Sequence, residues 1–273
     1  MAEEPPTRMK AIVFLGGGRI TSALAAGLRL AGYERRIVVY DRHPEKLRAL
    51  KKESRVEVAE DLKPAVQQAE MLIVAVRPAS VAEMLNQVAA CGVAAPKLCV
   101  SLAAGIPLRK LRARLGLPVR WVRAMPSPVC RMGRGLTAVS FERGVSKAER
   151  GRVRAFFAWV GPVMEISERQ FDAFTVVYSS SHGYHALATL AKAAQGAGLD
   201  RTTALTAAAH ALGEGIAYWR QSGQTLAALL HEAATPGGIA AATMSAMDKS
   251  GYARVVENGI RAGFKRARRN AKL

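Results

Sequence analysis

The chain has 273 residues, half of them hydrophobic, and carries a formal net charge of +19 at pH 7. That length and apolar fraction predict a globular protein with a well-formed core, built as one large domain or two modest ones. No apolar run reaches the roughly 18 residues of a membrane-spanning helix, so the sequence argues against an integral membrane protein of that kind.

Two features of the sequence bear on where the protein works. Residues 1–8 are acidic and proline-rich without an apolar stretch, so they predict a flexible lead-in and not a signal peptide. The three cysteines, Cys91, Cys99 and Cys130, have no metal-ligand spacing, and such an odd, low count favours a reducing compartment. We therefore expect a cytoplasmic protein without a metal site.

Residues 10–42 have the layout of a dinucleotide-binding βαβ unit. A predicted strand at 11–15 ends at three glycines, and a helix of small residues at 20–30 and a second strand at 37–40 follow. Glycine lets the backbone approach a pyrophosphate, while the helix N-terminus supplies free N–H groups and the positive end of its dipole. We expect four residues of this turn to contact the pyrophosphate: Gly16, Gly18, Arg19 and Ile20.

Strands and helices continue to alternate beyond residue 42. Further strands are predicted at 56–59, 71–76, 98–102, 119–124, 136–141 and 163–166. Helices are predicted at 43–53, 62–68, 81–89, 108–115 and 147–159. This alternation is typical of a mainly parallel sheet covered on both faces, so residues 9–166 are predicted to form a doubly wound, Rossmann-type α/β domain.

The pattern changes at about residue 167, after which only helical periodicity is evident. Alanine-rich helices are predicted at 172–197, 201–222, 225–233 and 238–269. Such helices can pack closely on one another, and they can also pack against another subunit. Residues 167–273 are therefore predicted to form an all-α second domain.

The chain ends in a dense basic tail, KRARRNAK at residues 265–272. Nucleic-acid binding is one interpretation of such charge, but no aromatic residue interleaves the tail and no zinc or helix-turn-helix signature is evident. We expect a solvated helix end there and no nucleic-acid partner. The positive charge of the chain also suits phosphate-bearing cofactors and anionic substrates.

Seven short strings of the chain resemble those of the pyrroline-5-carboxylate reductase family, in that family's order and spacing. They are GGGRITSA (16–23), AVRP (75–78), SLAAGI (101–106), RAMP (123–126), GRGLTA (133–138), DAFT (172–175, interpreted as the opening of a helix) and TPGG (235–238). The resemblance implies NAD(P)H-dependent reduction of a cyclic imine, pyrroline-5-carboxylate, to proline. It also implies that a Rossmann domain precedes a dimerisation domain, which interlocks with a second copy in homodimers or rings of dimers.

The second strand of the βαβ unit leaves the choice of cofactor open. Asp41 can accept a hydrogen bond from a ribose 2′-hydroxyl, whereas Arg42, His43 and Lys46 can hold a 2′-phosphate. The basic cluster and the resemblance favour NADP(H), and NAD(H) is the alternative. The resemblance also implies cofactor contacts from residues that end the next strands: Val76, Arg77, Pro78, Ala103, Ala104, Met125 and Pro126.

The predicted substrate end departs from the family pattern. The family's Ser-Gly-Ser-Gly-Pro-Ala-Tyr run is replaced by YSSSHGY at residues 178–184, and two threonines after TPGG are replaced by Ile239 and Ala240. Tyr178 and His182 would share one face of a straight helix, where either can donate a proton to an imine nitrogen or simply line a helix interface. The remaining predicted substrate contacts are Ser127, Ser181, Thr235, Gly237 and Gly238.

Two other functions stay open at the level of the sequence. The departures at the substrate end allow the same chemistry on a different cyclic imine or on a keto-type substrate. A cofactor-binding regulatory protein without turnover is the other alternative. An assay with pyrroline-5-carboxylate and either cofactor separates the three hypotheses, because only reduction of pyrroline-5-carboxylate to proline predicts turnover of that substrate.

Overall fold

The computed structural model describes residues 10–94 and 96–272, and the predicted lead-in at 1–8 lies outside these ranges. The described residues form two compact units. The sheet unit runs to Tyr178 and also includes the chain from Phe264 onward; the helical unit comprises Ser179–Gly263. This division falls later than the boundary predicted at 167, because the helix that follows that boundary packs on the sheet.

The sheet unit is built on eight strands in the order β3-β2-β1-β4-β5-β6-β7-β8. The strands are β1 (Ala11–Leu15), β2 (Ile37–Tyr40), β3 (Glu57–Val58), β4 (Ala69–Val74), β5 (Leu98–Ser101), β6 (Arg120–Met125), β7 (Thr137–Phe141) and β8 (Val163–Glu165). The first six run parallel, β7 is antiparallel to β6, and β8 is parallel to β7. The predicted mainly parallel sheet is confirmed, and the reversal of its last two strands was not predicted.

Helices cover both faces of this sheet. They are α1 (Arg19–Leu30), α2 (Pro44–Ser54), α3 (Leu62–Gln67), α4 (Val81–Ala90), α5 (Leu108–Arg114), α6 (Lys147–Ala158) and α7 (Glu168–Val177). Successive residues of β1 point to opposite faces: Phe14 lies in a core with residues of α1 and α6, whereas Val13 and Leu15 lie in a second core with residues of α4 and α5. Because both faces are buried, the strands read as continuous apolar runs.

The strand order creates a crevice at the carboxyl edge of the sheet. From β1 the chain moves outward to β2 and β3, and then returns to the other side of β1 to form β4. Ligands of open α/β sheets bind at such a switch point, outside the carboxyl ends of the strands. The residues predicted to bind cofactor follow or end β1, β2, β4, β5 and β6, and these parallel strands bring them to one edge.

The helical unit contains four helices and the start of a fifth. They are α8 (Ser180–Gly196), α9 (Arg201–Ser222), α10 (Leu226–Ala233), α11 (Ile239–Lys249) and α12 (Tyr252–Asn270). The last residues of α12 belong to the sheet unit. Among the helices in the described part of the chain, none combines the length and the apolarity that crossing a membrane requires.

Two predicted helices are interrupted in the structure. The helix predicted at 172–197 is divided into α7 and α8 at Tyr178, whose ψ of 62° is not helical. The helix predicted at 238–269 is divided into α11 and α12 at Gly251, whose φ of +79° is the left-handed conformation that commonly ends helices. The prediction that Tyr178 and His182 share one helical face is therefore wrong, since Tyr178 ends α7 and His182 lies in the first turn of α8.

Candidate functional site

The glycine turn after β1 is shaped by its contact with the loop after β4. Gly16 has a φ of +113°, and a Cβ there would lie 2.9 Å from the carbonyl carbon of Ala75 and 3.0 Å from the nitrogen of Val76. Only glycine fits both this conformation and this space. The buried Thr21 hydroxyl donates a hydrogen bond of 2.6 Å to the Gly16 carbonyl and so ties the turn to α1. Thr21 was not among the predicted site residues.

The N-terminus of α1 begins beside open space at the glycine turn. Gly18 is its N-cap, with φ −79° and ψ −174°, and a Cβ there would meet no described atom within 4 Å. The first N–H groups of a helix have no partner within the helix. Arg19 and Ile20 begin the first turn of α1, which is fully described and contains no acidic side chain. The free donors and the helix dipole suit a phosphate group at this position.

The Asp41 carboxylate links the glycine turn to the end of β2. Its Oδ2 accepts a hydrogen bond of 2.7 Å from the N–H of Gly17, and its Oδ1 accepts one of 2.9 Å from the N–H of His43. The Nζ of Lys46 lies 3.6 Å from Oδ1, and only 9% of the Asp41 side chain is exposed. Because its side chain is mostly buried and each oxygen already accepts one hydrogen bond, Asp41 has fewer accessible acceptor positions for a ribose hydroxyl than its place in the sequence indicated.

Basic side chains surround the end of β2 and the N-terminus of α2. Arg42, His43 and Lys46 are exposed, and His43 is the N-cap of α2. The Nη1 of Arg42 lies 3.7 Å from Oε2 of Glu83, a long surface ion pair of the kind that contributes little to stability. The positive charge and the helix N-terminus together favour an anionic group over a neutral hydroxyl at this position.

The loop after β4 borders the same crevice. The strand ends at Val74, so the predicted residues Val76, Arg77 and Pro78 follow it instead of ending it. The chain then forms a short 3₁₀ turn at Pro78–Ser80. Val76 and Pro78 are half-buried and Arg77 is exposed. The backbone nitrogen of Val76 lies only 3.0 Å from where a Cβ on Gly16 would stand. The glycine turn and the loop after β4 are therefore in direct contact.

The turn after β5 is covered by the end of the chain. Ala103 is buried and Ala104 is half-buried. The Nδ2 of Asn270 donates a hydrogen bond of 3.1 Å to the carbonyl of Ala104, and a Cβ on Gly105 would lie 2.7 Å from the carbonyl oxygen of Ala267. Ala267 and Asn270 are only 6% and 8% exposed. The expectation of a fully solvated tail is therefore wrong for these two residues, although the basic residues between and around them are exposed.

The arginine of the RAMP string is a buried structural cation. Its Nη1 lies 3.2 Å from Oε1 of Glu168 and its Nη2 lies 2.7 Å from Oδ1 of Asp172. The Cζ of Arg123 is 4.1 Å from the ring centroid of Phe171. Since Glu168 also accepts a hydrogen bond from the N–H of Leu108, this cluster joins β6 to α7 and to the start of α5. The helix α7 begins at Glu168, so the DAFT string lies inside it and does not open it.

The end of β6 completes the carboxyl edge. Met125 is half-buried and Pro126 is buried. Ser127 is buried, and its hydroxyl oxygen accepts a hydrogen bond of 3.3 Å from the N–H of Val129. Ser127 thereby caps the 3₁₀ turn at Pro128–Met132, a structural contact that was not foreseen beside its predicted contact with substrate.

The residues predicted to donate a proton lie in different units. Tyr178 belongs to the sheet unit, where its ring centroid is 4.9 Å from that of Phe174. His182 belongs to the helical unit and is exposed at the start of α8. Ser181 is exposed beside it, and its hydroxyl is 2.7 Å from the hydroxyl of Ser179. Tyr178 and His182 are therefore not neighbours on one helical face within either unit.

The TPGG string forms a tight turn before α11. The N–H of Gly238 donates a hydrogen bond of 2.8 Å to the carbonyl of Thr235, and Gly237 has a φ of +77°. Ile239, the first residue of α11, is highly exposed. The predicted substrate residues of the helical unit thus occupy two separate segments, and the cofactor edge is the more completely assembled part of the site.

Comparison with known proteins gives two family models and full-length relatives. The model described as "NADP oxidoreductase coenzyme F420-dependent" matches residues 11–105, and "Pyrroline-5-carboxylate reductase dimerisation" matches 168–270. A pyrroline-5-carboxylate reductase of Mycobacterium tuberculosis is 32% identical, covering 95% of this chain and 96% of that protein. The crystal structure of Plasmodium falciparum pyrroline carboxylate reductase with NADP bound aligns with a TM-score of 0.85 at 21% identity, covering 97% of this chain and 99% of that one. The Coxiella burnetii pyrroline-5-carboxylate reductase aligns with a TM-score of 0.85 at 22% identity, covering 97% and 100%.

Proposed function

The chain belongs to the pyrroline-5-carboxylate reductase family, and we propose that it reduces pyrroline-5-carboxylate to proline with NADPH. One observation carries the cofactor part of the proposal: the glycine turn before α1 contacts the loop after β4 at the switch point of a doubly wound sheet, and the parallel strands bring the ends of β5 and β6 to the same edge. That edge is where such folds bind dinucleotides. The reaction class is that of an oxidoreductase acting on a C=N bond.

The glycine turn and α1 hold the cofactor's pyrophosphate in this proposal. The N–H groups of Gly18, Arg19 and Ile20 donate to it, and the space in which a Gly18 side chain would stand accommodates it. Gly16 keeps the turn closed on the loop after β4. When bound, NADPH supplies a hydride to the carbon of the C=N bond, and the protein contributes orientation and electrostatics.

We infer a preference for NADP(H) over NAD(H) from the end of β2. The exposed Arg42, His43 and Lys46 at the N-terminus of α2 suit a 2′-phosphate. Asp41, the group that would select a 2′-hydroxyl, already accepts two backbone hydrogen bonds. The similarity to a structure described with NADP bound supports the same preference.

The nicotinamide end of the cofactor is assigned to the loops after β4, β5 and β6. We propose that Val76, Arg77 and Pro78 border its ribose, while the small side chains of Ala103 and Ala104 leave room for the ring. Met125 and Pro126 close the pocket from the side of β6. Holding the ring against the imine carbon lowers the entropy barrier to the transfer.

Substrate binding is assigned to residues that surround the nicotinamide end when the active form assembles. In this proposal the hydroxyls of Ser127 and Ser181 and the turn at Thr235, Gly237 and Gly238 bind the substrate, with the turn's N–H groups at the carboxylate. Tyr178 or His182 donates a proton to the imine nitrogen. A substrate that arrives as its iminium needs no such donor.

We infer that the active form is a homodimer or a ring of dimers. The dimerisation model matches residues 168–270, and the helical unit exposes many large apolar side chains. A second copy of this unit is the partner that would cover them, because identical surfaces can pair about a two-fold axis.

A cytoplasmic location is part of the same proposal. All three cysteines are free thiols: Cys99 and Cys130 are buried and Cys91 is half-buried. Unpaired thiols are typical of a reducing compartment, where NADPH-dependent biosynthesis has its reductant. Fractionation of the native cells with an antibody to the chain tests this assignment, which a secreted pool would contradict.

The decisive assay mixes the purified protein with pyrroline-5-carboxylate and either NADPH or NADH, and follows the loss of absorbance of the reduced nicotinamide. We expect turnover, with a higher kcat/KM for NADPH. A Gly151→Ala variant serves as control, because Gly151 lies in α6 without a positive φ, a Cβ there meets no described atom within 4 Å, and the position is outside the proposed site. Cofactor binding without turnover of this substrate would contradict the proposal and redirect the search to other imines.

A further inference from the structure

The turn between β5 and α5, residues 102–107, is held by side chains from three parts of the sheet unit. The bonds join Ser101 Oγ to the N–H of Ala103 (3.3 Å), Glu168 Oε1 to the N–H of Leu108 (3.0 Å) and Asn270 Nδ2 to the carbonyl of Ala104 (3.1 Å). The bond from Asn270 spans 166 residues of the sequence. The last turn of α12 therefore fixes a loop that the sequence places far from it.

Backbone packing reinforces this contact. Gly105 has a φ of +77°, and a Cβ on it would lie 2.7 Å from the carbonyl oxygen of Ala267 and 2.9 Å from Cβ of Asn270. Ala267 and Asn270 are both buried. The amide of Asn270 thus makes its hydrogen bond in a partly buried position, where an unmade bond is costly, and the helix end packs directly on the β5–α5 turn.

The β5–α5 turn lies at the edge of the sheet where the cofactor is expected to bind. It follows a parallel strand at the carboxyl edge, between the loops that follow β4 and β6. Under the proposed function, on which this inference rests for the identity of the cofactor, Ala103 and Ala104 border the nicotinamide ring. We propose that Asn270 is a positioning residue for the reaction: by holding the Ala104 carbonyl, it sets where the nicotinamide end of NADPH lies.

The two ends of the cofactor should respond differently to the loss of this bond. The adenosine and pyrophosphate groups are assigned to Gly18, Arg42 and the N-terminus of α1, whereas the hydrogen bond of Asn270 holds the Ala104 carbonyl on the β5–α5 turn. Loosening the β5–α5 turn therefore weakens the hold on the nicotinamide and leaves the adenosine end unchanged. A general loss of stability would weaken both.

The test compares two ligands on the full-length protein: NADPH and adenosine 2′,5′-bisphosphate, which lacks the nicotinamide. Asn270→Asp keeps the shape of the side chain, removes the donor and adds one negative charge, for which the Arg269→Gln control below allows. We expect the Kd for NADPH to rise, by up to about fivefold if the full net free energy of the lost bond appears in binding, while the Kd for the fragment stays at the wild-type value. We also expect kcat for pyrroline-5-carboxylate to fall, because the nicotinamide is less well placed.

Two matched pairs of variants separate positioning from stability. Gly105→Ala disrupts the same contact by placing a methyl group between the turn and α12. Gly92→Ala is its control, because it places alanine at a comparable positive φ (+62°) where the Cβ has open space. Arg269→Gln changes an exposed neighbour of Asn270 and controls for the charge of the tail. If Asn270→Asp does not fold by circular dichroism, the uncharged Asn270→Ser replaces it and is judged by the same comparison.

The selective loss must appear in the Asn270 variant and in Gly105→Ala, and in neither control. Equal weakening of NADPH and the fragment, or wild-type NADPH affinity in either test variant, would overturn the proposal. The binding readout needs no substrate. A wild-type protein that binds NADPH without reducing pyrroline-5-carboxylate would therefore contradict the proposed function and leave this comparison valid.

Discussion

Gly16 and Gly18 belong to the same turn and differ in what a methyl group would meet. Gly16→Ala combines a φ of +113° with a Cβ 2.9 Å from Ala75, so we expect the free energy of unfolding to fall by roughly 2 kcal/mol or more. Gly18→Ala has neither problem, and stability should stay within about 0.5 kcal/mol. Its NADPH affinity should nevertheless fall, because the methyl enters the space assigned to the pyrophosphate. Urea unfolding and NADPH titration measure the two effects; wild-type NADPH affinity in Gly18→Ala would place the pyrophosphate elsewhere.

Arg42 carries the preference for the phosphorylated cofactor in the proposed site. Removing a charge-assisted hydrogen bond to a phosphate costs about 1.5–3 kcal/mol, so Arg42→Gln should lower kcat/KM for NADPH by about tenfold or more. The value for NADH should change little, because NADH has no 2′-phosphate. Arg109→Gln, at an exposed position of α5, is the control for net charge. Equal losses with both cofactors would assign Arg42 to the general field of the site and not to the 2′-phosphate.

The cysteines differ in reactivity because they differ in burial. Burial raises the pKa of the Cys130 thiol to about 12 and also raises the pKa of Cys99, so neither carries much thiolate at about pH 8. Cys91 is half-buried at the end of α4. Iodoacetamide should label Cys91 alone in the folded protein and all three cysteines in urea, as read by mass spectrometry. Rapid labelling of Cys130 under native conditions would mean that the 3₁₀ turn after Ser127 opens.

At the scale of elements, the sequence predicted the strands and helices well and their interruptions poorly. The gap between α7 and α8 is marked by no proline or glycine. Its local signal is Ser179, the N-cap of α8, because serine is a preferred N-cap residue. Gly251 ends α11, yet Gly213 and Gly259 lie inside α9 and α12. Local composition does not distinguish these cases, and the space at the Cβ position does not either, since it is open or nearly open at all three glycines.

The cofactor edge was predictable for a reason of topology. Parallel strands deliver their carboxyl ends to one side, so the residues after β1, β4 and β5 had to meet once the alternation of strands and helices was recognised. The bonds from Asp41 to Gly17 and from Asn270 to Ala104 were not predictable. Each joins segments whose approach depends on the final packing, and neither leaves a periodic signal in the sequence.

Arg123 shows how α7 is attached to the sheet. Its guanidinium is buried between Glu168 and Asp172 and lies over Phe171. Arg123→Met would leave two carboxylates without their cation, and we expect the free energy of unfolding to fall by about 3 kcal/mol. Urea denaturation measures this loss.

A second variant tests the cause of that loss. Combining Arg123→Met with Asp172→Leu removes one of the two carboxylates as well as the cation and leaves Glu168, so part of the stability should return. Arg123→Lys keeps the charge but loses the planar guanidinium and its stacking on Phe171. Its free energy of unfolding should lie between those of the wild type and Arg123→Met. An Arg123→Met protein of wild-type stability would mean that packing on Phe171, and not the ion pairs, attaches α7.

At the scale of the whole molecule, the helical unit leaves most of its large apolar side chains exposed instead of burying them in a core of its own. All of its residues are described, and the buried hydrophobic ones are only Ala191, Ala204 and Ala208. The large apolar side chains that it exposes are Tyr184, Leu190, Leu199, Leu205, Ile216, Tyr218, Trp219, Leu226, Leu230, Ile239, Met247, Tyr252, Val255 and Val256. Exposed apolar surface on this scale marks an interaction site, and hydrophobic burial is the main favourable term in folding.

Assembly should therefore be inseparable from the stability of this unit. We expect size-exclusion chromatography with light scattering to give a dimer or a multiple of it, and unfolding midpoints that rise with protein concentration. Ile216→Asp places a charge among the exposed apolar side chains of α9; it should shift the protein toward monomer and lower its melting temperature. Leu30→Asp, at an exposed apolar position of the sheet unit (69% exposed, against 51% for Ile216), is the control and should leave the assembly intact. A monomeric wild-type protein with a concentration-independent midpoint would contradict the inferred partner, because the helical unit would then be stable with its apolar surface in water.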